Sequence, residues 1–346
     1  MLFSPPGRAI ALICGALLIT VVCYDIVLTN ILLQRTTHCS EHDTNLGHAA
    51  AVRSRPTDLD TDEQEATPTC RVQFVFAGTK SNYKHFSSLR AWLRLTNPTC
   101  PIEFIRPGHP FLVQVSAAER ATMDDMAYLP ILQADFMKLL VLYYFGGLVT
   151  DLDTEPLKRF PDDWTGAGTK LATCDVVLGV EADCFDDKCV ATMVRKGQIQ
   201  NWSMWARTRH SPFVRQLVDA VVTKYATFVV RHDPNVAVQE VAGSGTITDF
   251  VKLYGGFRQP HYRESTGPMG ATLECDWSSV LRIRKAGEEV CVVGPAWTGT
   301  RCSGATVCLL RHKYEGSWRV NPANADDPPD EASIRQPILD FLRSLN

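Results

Sequence analysis

The segment from Ile131 to Leu157, "ILQADFMKLLVLYYFGGLVTDLDTEPL", most limits what this chain can fold into. Its first fifteen residues are apolar around almost the whole helical circumference, which describes a buried helix rather than an amphipathic surface one. Gly146-Gly147 then supplies a C-terminal turn in the left-handed conformation that glycine tolerates. "LVTD" follows as a short buried strand. A buried helix turning straight into a buried strand is a unit of an α/β sheet. The strand then ends on two acids, Asp151 and Asp153. In an extended chain such residues share a face, and two carboxylates side by side repel each other, more so when buried. A divalent cation between them would resolve the conflict. The competing reading is a solvated turn, in which Asp is common.

The flanking sequence supports an α/β sheet. "RVQFVFAG" (71–78), "PIEFIR" (101–106) and "DVVLGVE" (175–181) read as strands, with further strand-like runs at 279–284, 289–293 and 306–311. "SSLRAWLRL" (87–95) has helical spacing, "SAAE" (116–119) is a capping box, and Ser211-Pro212 opens a helix over 211–230. Alternation of this kind predicts a mainly parallel, doubly wound sheet, in which ligands bind beyond the carboxyl ends of the strands. Asp151 and Asp153 stand at such an end.

The ends of the chain differ from its middle. Residues 9–33 are long and apolar enough to span a bilayer. Asp25 interrupts them, so a cleaved signal peptide is the alternative to a signal anchor. Residues 34–69 are polar and cannot bury a core. Their own Asp58-Leu59-Asp60 shows that the acidic tripeptide alone carries no information. The expected layout is a cytoplasmic tail (1–8), an anchor (9–33), a stem (34–69), a catalytic domain (70–320) and a C-terminal tail (321–346). It describes a single-pass type II protein with a luminal catalytic domain. Nine of the twelve cysteines follow the stem. In an oxidising lumen they are expected to pair, with Cys184/Cys189 and Cys302/Cys308 as candidate local bridges. Asn201-Trp202-Ser203 is a formal glycosylation sequon in an aromatic segment that reads as packed. The net charge of −3 gives no basic excess for a nucleic-acid polymer.

No G-x-G-x-x-G, G-x-x-x-x-G-K-[ST] or H-E-x-x-H occurs, which removes the dinucleotide, P-loop and zincin readings. Aspartyl-nucleophile phosphatases use D-x-D-x-[TV], but Glu155 stands at the last of those positions. In contrast, "ADFMKLLVLYYFGGLVTDLDTEPLK" (134–158) resembles the signature of the family 32 DXD sugar-binding glycosyltransferases. "VVLGVEAD" (176–183), "QIQNWSMWARTRHSPF" (198–213), "GSGTITDFV" (243–251) and "RHKYEGSWR" (311–319) resemble later family segments, in the family's order. Within the family the chain looks most like the initiation-specific α-1,6-mannosyltransferases. The "GSGT" of 243–246 opens a segment that resembles the family's Gly-Pro-Gly-x-x-T loop, and the chain departs from the pattern at Lys138, where the family has Arg, at Ser244, where that loop has Pro, and at Val149, where the family usually has an aromatic.

The resemblance implies a GT-A (Rossmann-like) fold, with a single mixed, mainly parallel sheet flanked by helices. It implies Mn²⁺ or another divalent cation, a nucleotide-sugar donor such as GDP-mannose, a glycan acceptor and retention of anomeric configuration. Inositol-phosphorylceramide acceptors and an inactive sugar-binding protein are the alternatives. By the same resemblance, Asp153, Asp151 and His312 hold the metal. Asp135, Lys138, Asp151, Gly243, Gly245, Ser317 and Trp318 serve the donor. Glu181 and Asp183, with the Asp151/Asp153 pair, line the reacting centre and the acceptor's hydroxyls.

Overall fold

The computed structural model describes residues 69–78, 88–182, 193–195, 197–228, 232, 238–256, 278 and 280–314. The proposed anchor, the stem up to residue 68, the C-terminal tail and the Cys184/Cys189 pair lie outside the described residues, as do Asp183, Ser317 and Trp318. Among the described residues no helix is long and apolar enough to cross a membrane.

The chain alternates as its sequence predicts. Strand β1 (Val72–Val75) leads to helix α1 (Ser88–Leu95), then to strand β2 (Ile102–Ile105). Helices α2 (Ala117–Asp125) and α3 (Pro130–Phe145) follow, and α3 runs into β3 (Gly147–Thr150). After the small strand β4 (Thr154–Pro156) come β5 (Val176–Ala182) and β6 (Gln198–Ala206), then helices α4 (Pro212–Thr227) and α5 (Ser244–Tyr254). Strands β7 (Val280–Lys285), β8 (Glu288–Val293) and β9 (Leu310–His312) close the described chain.

Seven strands form one sheet in the order β2-β1-β3-β6-β5-β8-β7, and β4 pairs with β9 in a second, two-stranded sheet. In the large sheet β6 and β7 run antiparallel to their neighbours while the other five share one direction. The mainly parallel expectation holds, and the small β4–β9 sheet is an addition to it. Helices α2 to α5 cover one face, where Phe136, Leu139 and Leu140 pack with Val149, Leu178 and Met204. Trp92 of α1, Phe160, Trp164 and Trp297 cover the other face, against Phe74, Leu148 and Trp205.

Two joints set the position of the site. At the α3–β3 joint, Gly146 and Gly147 take φ of 64° and 74°. A Cβ on Gly146 would meet Thr208 backbone at 2.8 Å, and one on Gly147 the Arg71 carbonyl oxygen at 2.8 Å. Only glycine satisfies both the torsion and the space, so the chain turns from buried helix to buried strand without a loop. The second joint is an irregularity in β6. Leu178 pairs with Met204 and Val180 with Ile199, so two steps along β5 match five along β6. The surplus residues bulge from the ladder beside the end of β3, the kind of device that re-aims side chains next to sites. The sequence reading left β6 without an element, because Gln198, Gln200, Asn201 and Ser203 break its apolar alternation.

Disulfides join Cys70–Cys100, Cys174–Cys291 and Cys302–Cys308, with Cα separations of 4.9, 5.8 and 4.9 Å. The expected Cys302–Cys308 bridge is present. Cys174, Cys291 and Glu289 come close enough to suggest a metal site. The two sulfurs are bonded to each other there, and Glu289 is taken by Arg282 and Arg284 at 2.6 and 2.8 Å, so the cluster is structural.

Candidate active site

The Asp-x-Asp segment is a turn, not a strand end with two carboxylates on one face. β3 stops at Thr150 and the turn runs through Asp153. The Asp151 amide still donates to the Trp202 carbonyl at 2.9 Å, which continues the β3–β6 ladder by one rung. Thr154 closes the turn, donating to the Asp151 carbonyl from its amide at 3.2 Å and its hydroxyl at 2.7 Å. This corrects the shared-face expectation, because side-chain closeness here comes from the turn. The turn is not solvated either, since Asp153 is only 6% exposed.

The β4–β9 sheet brings in His312. Thr154 pairs with His312, and the Lys313 amide donates to the Asp153 carbonyl at 2.8 Å. His312 Nε2 lies 3.2 Å from Asp153 Oδ1. One ligand atom from each of Asp151, Asp153 and His312 falls within a 4.8 Å cluster. Two carboxylates and an imidazole suit Mn²⁺ and its neighbours in the transition series, so the residues fit the cation that the motif implies.

Lys138 is buried beneath this cluster, 2% exposed. Its Nζ stands 2.6 Å from Asp151 Oδ1 and 3.2 Å from Asp135 Oδ1. Burial works to lower the lysine pKa, but the two carboxylates outweigh it and hold the group above its ordinary value. Asp135 responds to burial in the opposite sense and is raised to about 6, with Lys138 and Asn201 opposing the shift and Asp151 adding to it. Burial also raises Asp151, against the pull of Lys138. The i,i+3 pair on α3 is therefore buried rather than an ordinary surface pair. With its ammonium between two carboxylates, Lys138 bridges Asp135 and Asp151.

The Gly243–Thr246 segment, expected as a glycine loop, is the start of α5, with Gly243 as its N-cap. A Cβ on Gly243 would come within 2.8 Å of Gln239 Cα and 3.2 Å of Asp135 Oδ2. On Gly245 it would meet the Gln239 carbonyl and Val194 Cγ2, both at 2.9 Å. Both glycines are thus needed for close packing, and Gly243 packs against Asp135. Glu181 is buried at the end of β5, where Gln198 Nε2 donates to it at 2.8 Å. Burial raises its pKa, against that amide.

Three residues at the site were missed by the sequence reading. Asn201 hydrogen-bonds with Asp135 and accepts weakly from Ser244 Oγ at 3.5 Å. Trp202 stacks on His312 with ring centroids 4.7 Å apart, and Tyr314 meets the same imidazole edge-on at 4.1 Å. Asn201 and Trp202 both come from the β6 bulge. Alternating hydrophobicity cannot reveal such positions, and the sequon at Asn201 masked the only other signal.

A buried lysine shared by two aspartates lies beside an acidic turn closed by a histidine strand, and the turn and the histidine together could hold a cation. Residues 65–171 match the family described as "Glycosyltransferase sugar-binding region containing DXD motif". Residues 65–171 thus resemble the sugar-binding region of the DXD glycosyltransferases, as the sequence motifs indicate.

Over 206 residues it is 29% identical to the initiation-specific alpha-1,6-mannosyltransferase of Schizosaccharomyces pombe, covering 56% of this chain and 48% of that protein. Over 213 residues it is 29% identical to the enzyme of the same name from Candida albicans, covering 55% and 54%. The chain spans about half the length of these curated relatives. Among solved structures, the PaToxG glycosyltransferase aligns at 16% identity and a TM-score of 0.36, over 54% of this chain and 70% of that one.

Proposed function

We propose that this chain is a metal-dependent, configuration-retaining hexosyltransferase that moves mannose from GDP-mannose to a glycan acceptor, in the initiation of an N-linked outer chain. The cluster of Asp151, Asp153 and His312 above the Asp135–Lys138 pair carries this reading. Two relatives named as mannosyltransferases support the choice of sugar.

Asp153 and His312 would ligate the cation directly, while Asp151, engaged by Lys138, would meet it through water or hold the donor ribose. The cation would offset the charge that builds on the departing diphosphate. The protein's own groups do the rest. Lys138 neutralises part of the carboxylate charge and fixes where Asp151 and Asp135 point. Asp135, held by Lys138 and Asn201 against the start of α5, accepts hydrogen bonds from donor hydroxyls. Glu181, whose carboxyl burial holds above its ordinary pKa, faces the acceptor side. We further propose the type II Golgi layout, with residues 9–33 as anchor, 34–69 as stem and the site in the lumen.

The test is a donor screen of the full chain with Mn²⁺ and a panel of nucleotide sugars, scoring sugar transfer to a mannosyl acceptor. Turnover of GDP-mannose alone is expected. Turnover of another nucleotide sugar would change the donor assignment, and none at all would end the transferase reading.

A further inference from the structure

Tyr314 has three properties that do not follow from packing. Its backbone takes φ of 54°, a left-handed conformation that costs a bulky residue of order 1 kcal/mol or more and persists only where the surroundings impose it. The residue as a whole is 52% exposed, so burial alone gives a limited return. Yet the ring is turned inward, with its centroid 4.1 Å from that of His312 at an interplanar angle of 84°. The same imidazole is stacked on Trp202 at 4.7 Å and 23°. His312 Nδ1 is buried, with no hydrogen-bond partner among the described residues. Histidines that ligate a metal are usually oriented by a hydrogen bond from the other ring nitrogen to a carboxylate or carbonyl. Here no such bond is present among the described residues, and the rings of Trp202 and Tyr314 pack against the imidazole instead.

We infer that Trp202 and Tyr314 form an aromatic clamp that replaces the missing hydrogen bond and fixes the His312 imidazole with Nε2 toward Asp153. Trp202 supplies a flat face from the β6 bulge, and Tyr314 supplies the edge that stops the imidazole from rotating about χ2. Tyr314 is thus a positioning residue, acting through His312, and its strained backbone is the means of bringing the ring back over β9. The inference rests on the metal reading of the Asp151–Asp153–His312 cluster.

The test measures Mn²⁺ binding to the full chain without donor, by loss of the free-ion EPR signal, and the ¹⁴N coupling of bound Mn²⁺ in the electron spin-echo spectrum. Tyr314→Phe keeps the ring and should match wild type in both. Tyr314→Gly keeps the left-handed backbone without strain but loses the ring. It should bind Mn²⁺ roughly 10-fold more weakly, with the ¹⁴N coupling reduced or lost and the far-UV CD unchanged. Wild-type affinity and coupling in Tyr314→Gly would overturn the clamp while leaving the metal site standing. Equal losses in Tyr314→Phe and Tyr314→Gly would place the effect in the hydroxyl and also overturn it. A wild-type protein that binds no ¹⁴N-coupled Mn²⁺ would overturn the metal reading itself, and the clamp with it.

Discussion

Lys138 illustrates how one side chain joins stability to function. It is the buried cation nearest to both Asp135 and Asp151. Removing one partner of a buried ion pair typically costs about 3–5 kcal/mol, because the charge left behind is uncompensated. Lys138→Met should therefore lower the thermal midpoint of the metal-free protein markedly, and differential scanning calorimetry would show it. An unchanged midpoint would mean that the two carboxylates do not depend on the lysine. Asp135 carries a pH signature. Burial, against Lys138 and Asn201, raises its pKa to about 6 in the folded state, above the ordinary value near 3.8. A raised folded pKa means that the folded protein binds the proton more tightly than the unfolded chain. This site therefore adds stability as pH falls through about 6, fully present below the unfolded pKa and lost as pH rises through the folded one. Donor binding needs the ionised form to accept hydrogen bonds, so it should weaken over the same window. A titration of donor affinity against pH should show an acid limb near 6 that Asp135→Asn removes. A limb that survives in the variant would belong to another group.

At the level of elements, the β4–β9 pair decides where His312 stands. Glu155 on β4 pairs with Arg311 on β9 at 2.7 Å, and the Cys302–Cys308 bridge ties down the loop that leads into β9. Replacing both cysteines by serine should cost about 2 kcal/mol by loop-closure entropy. It should also weaken Mn²⁺ binding, because β9 would lose its anchor. Calorimetry and EPR titration of the double variant would check both, and a stability loss with unchanged Mn²⁺ affinity would show that β9 holds itself. The elements were unequally legible in the sequence. α3, the Gly146-Gly147 joint and β3 could be read because buried apolar runs and glycine torsions are local properties. α2 could be read from Ser116 and Glu119, whose capping box is formed. β6 could not be read, because its buried polar residues are satisfied by distant partners, such as Gln198 by Glu181 and Gln200 by Thr298, and its bulge is set by pairing with β3 and β5. The start of α5 looked like a loop because its glycines serve close packing, Gly243 against Asp135. His312 was legible only through the family pattern, and its stacking partner Trp202 was not legible, since a ring contact across 110 residues leaves no local trace.

For the whole molecule, the large sheet acts as a platform whose carboxyl edge gathers residues distant in sequence. Asp135 comes from α3, Asp151 and Asp153 from the turn after β3, Glu181 from β5, Asn201 and Trp202 from β6, and His312 from β9. Among the described residues three disulfides are formed, of which Cys174–Cys291 packs on the side of the sheet opposite the main helices, and they fit the oxidising compartment proposed for the site. Peptide mapping without reduction should recover Cys70–Cys100, Cys174–Cys291 and Cys302–Cys308 as linked peptides. Free thiols at these positions would argue against a luminal location. The central claim is that the acidic turn serves chemistry and not scaffold. Two carboxylates brought together without a cation repel, so removing one should cost little stability in the metal-free protein. The most direct measurement is release of GDP from GDP-mannose by Asp153→Ala and wild type, with saturating Mn²⁺ and acceptor, alongside their metal-free melting temperatures. Loss of turnover in Asp153→Ala at a nearly unchanged melting temperature is the predicted result, and full turnover in the variant would contradict it.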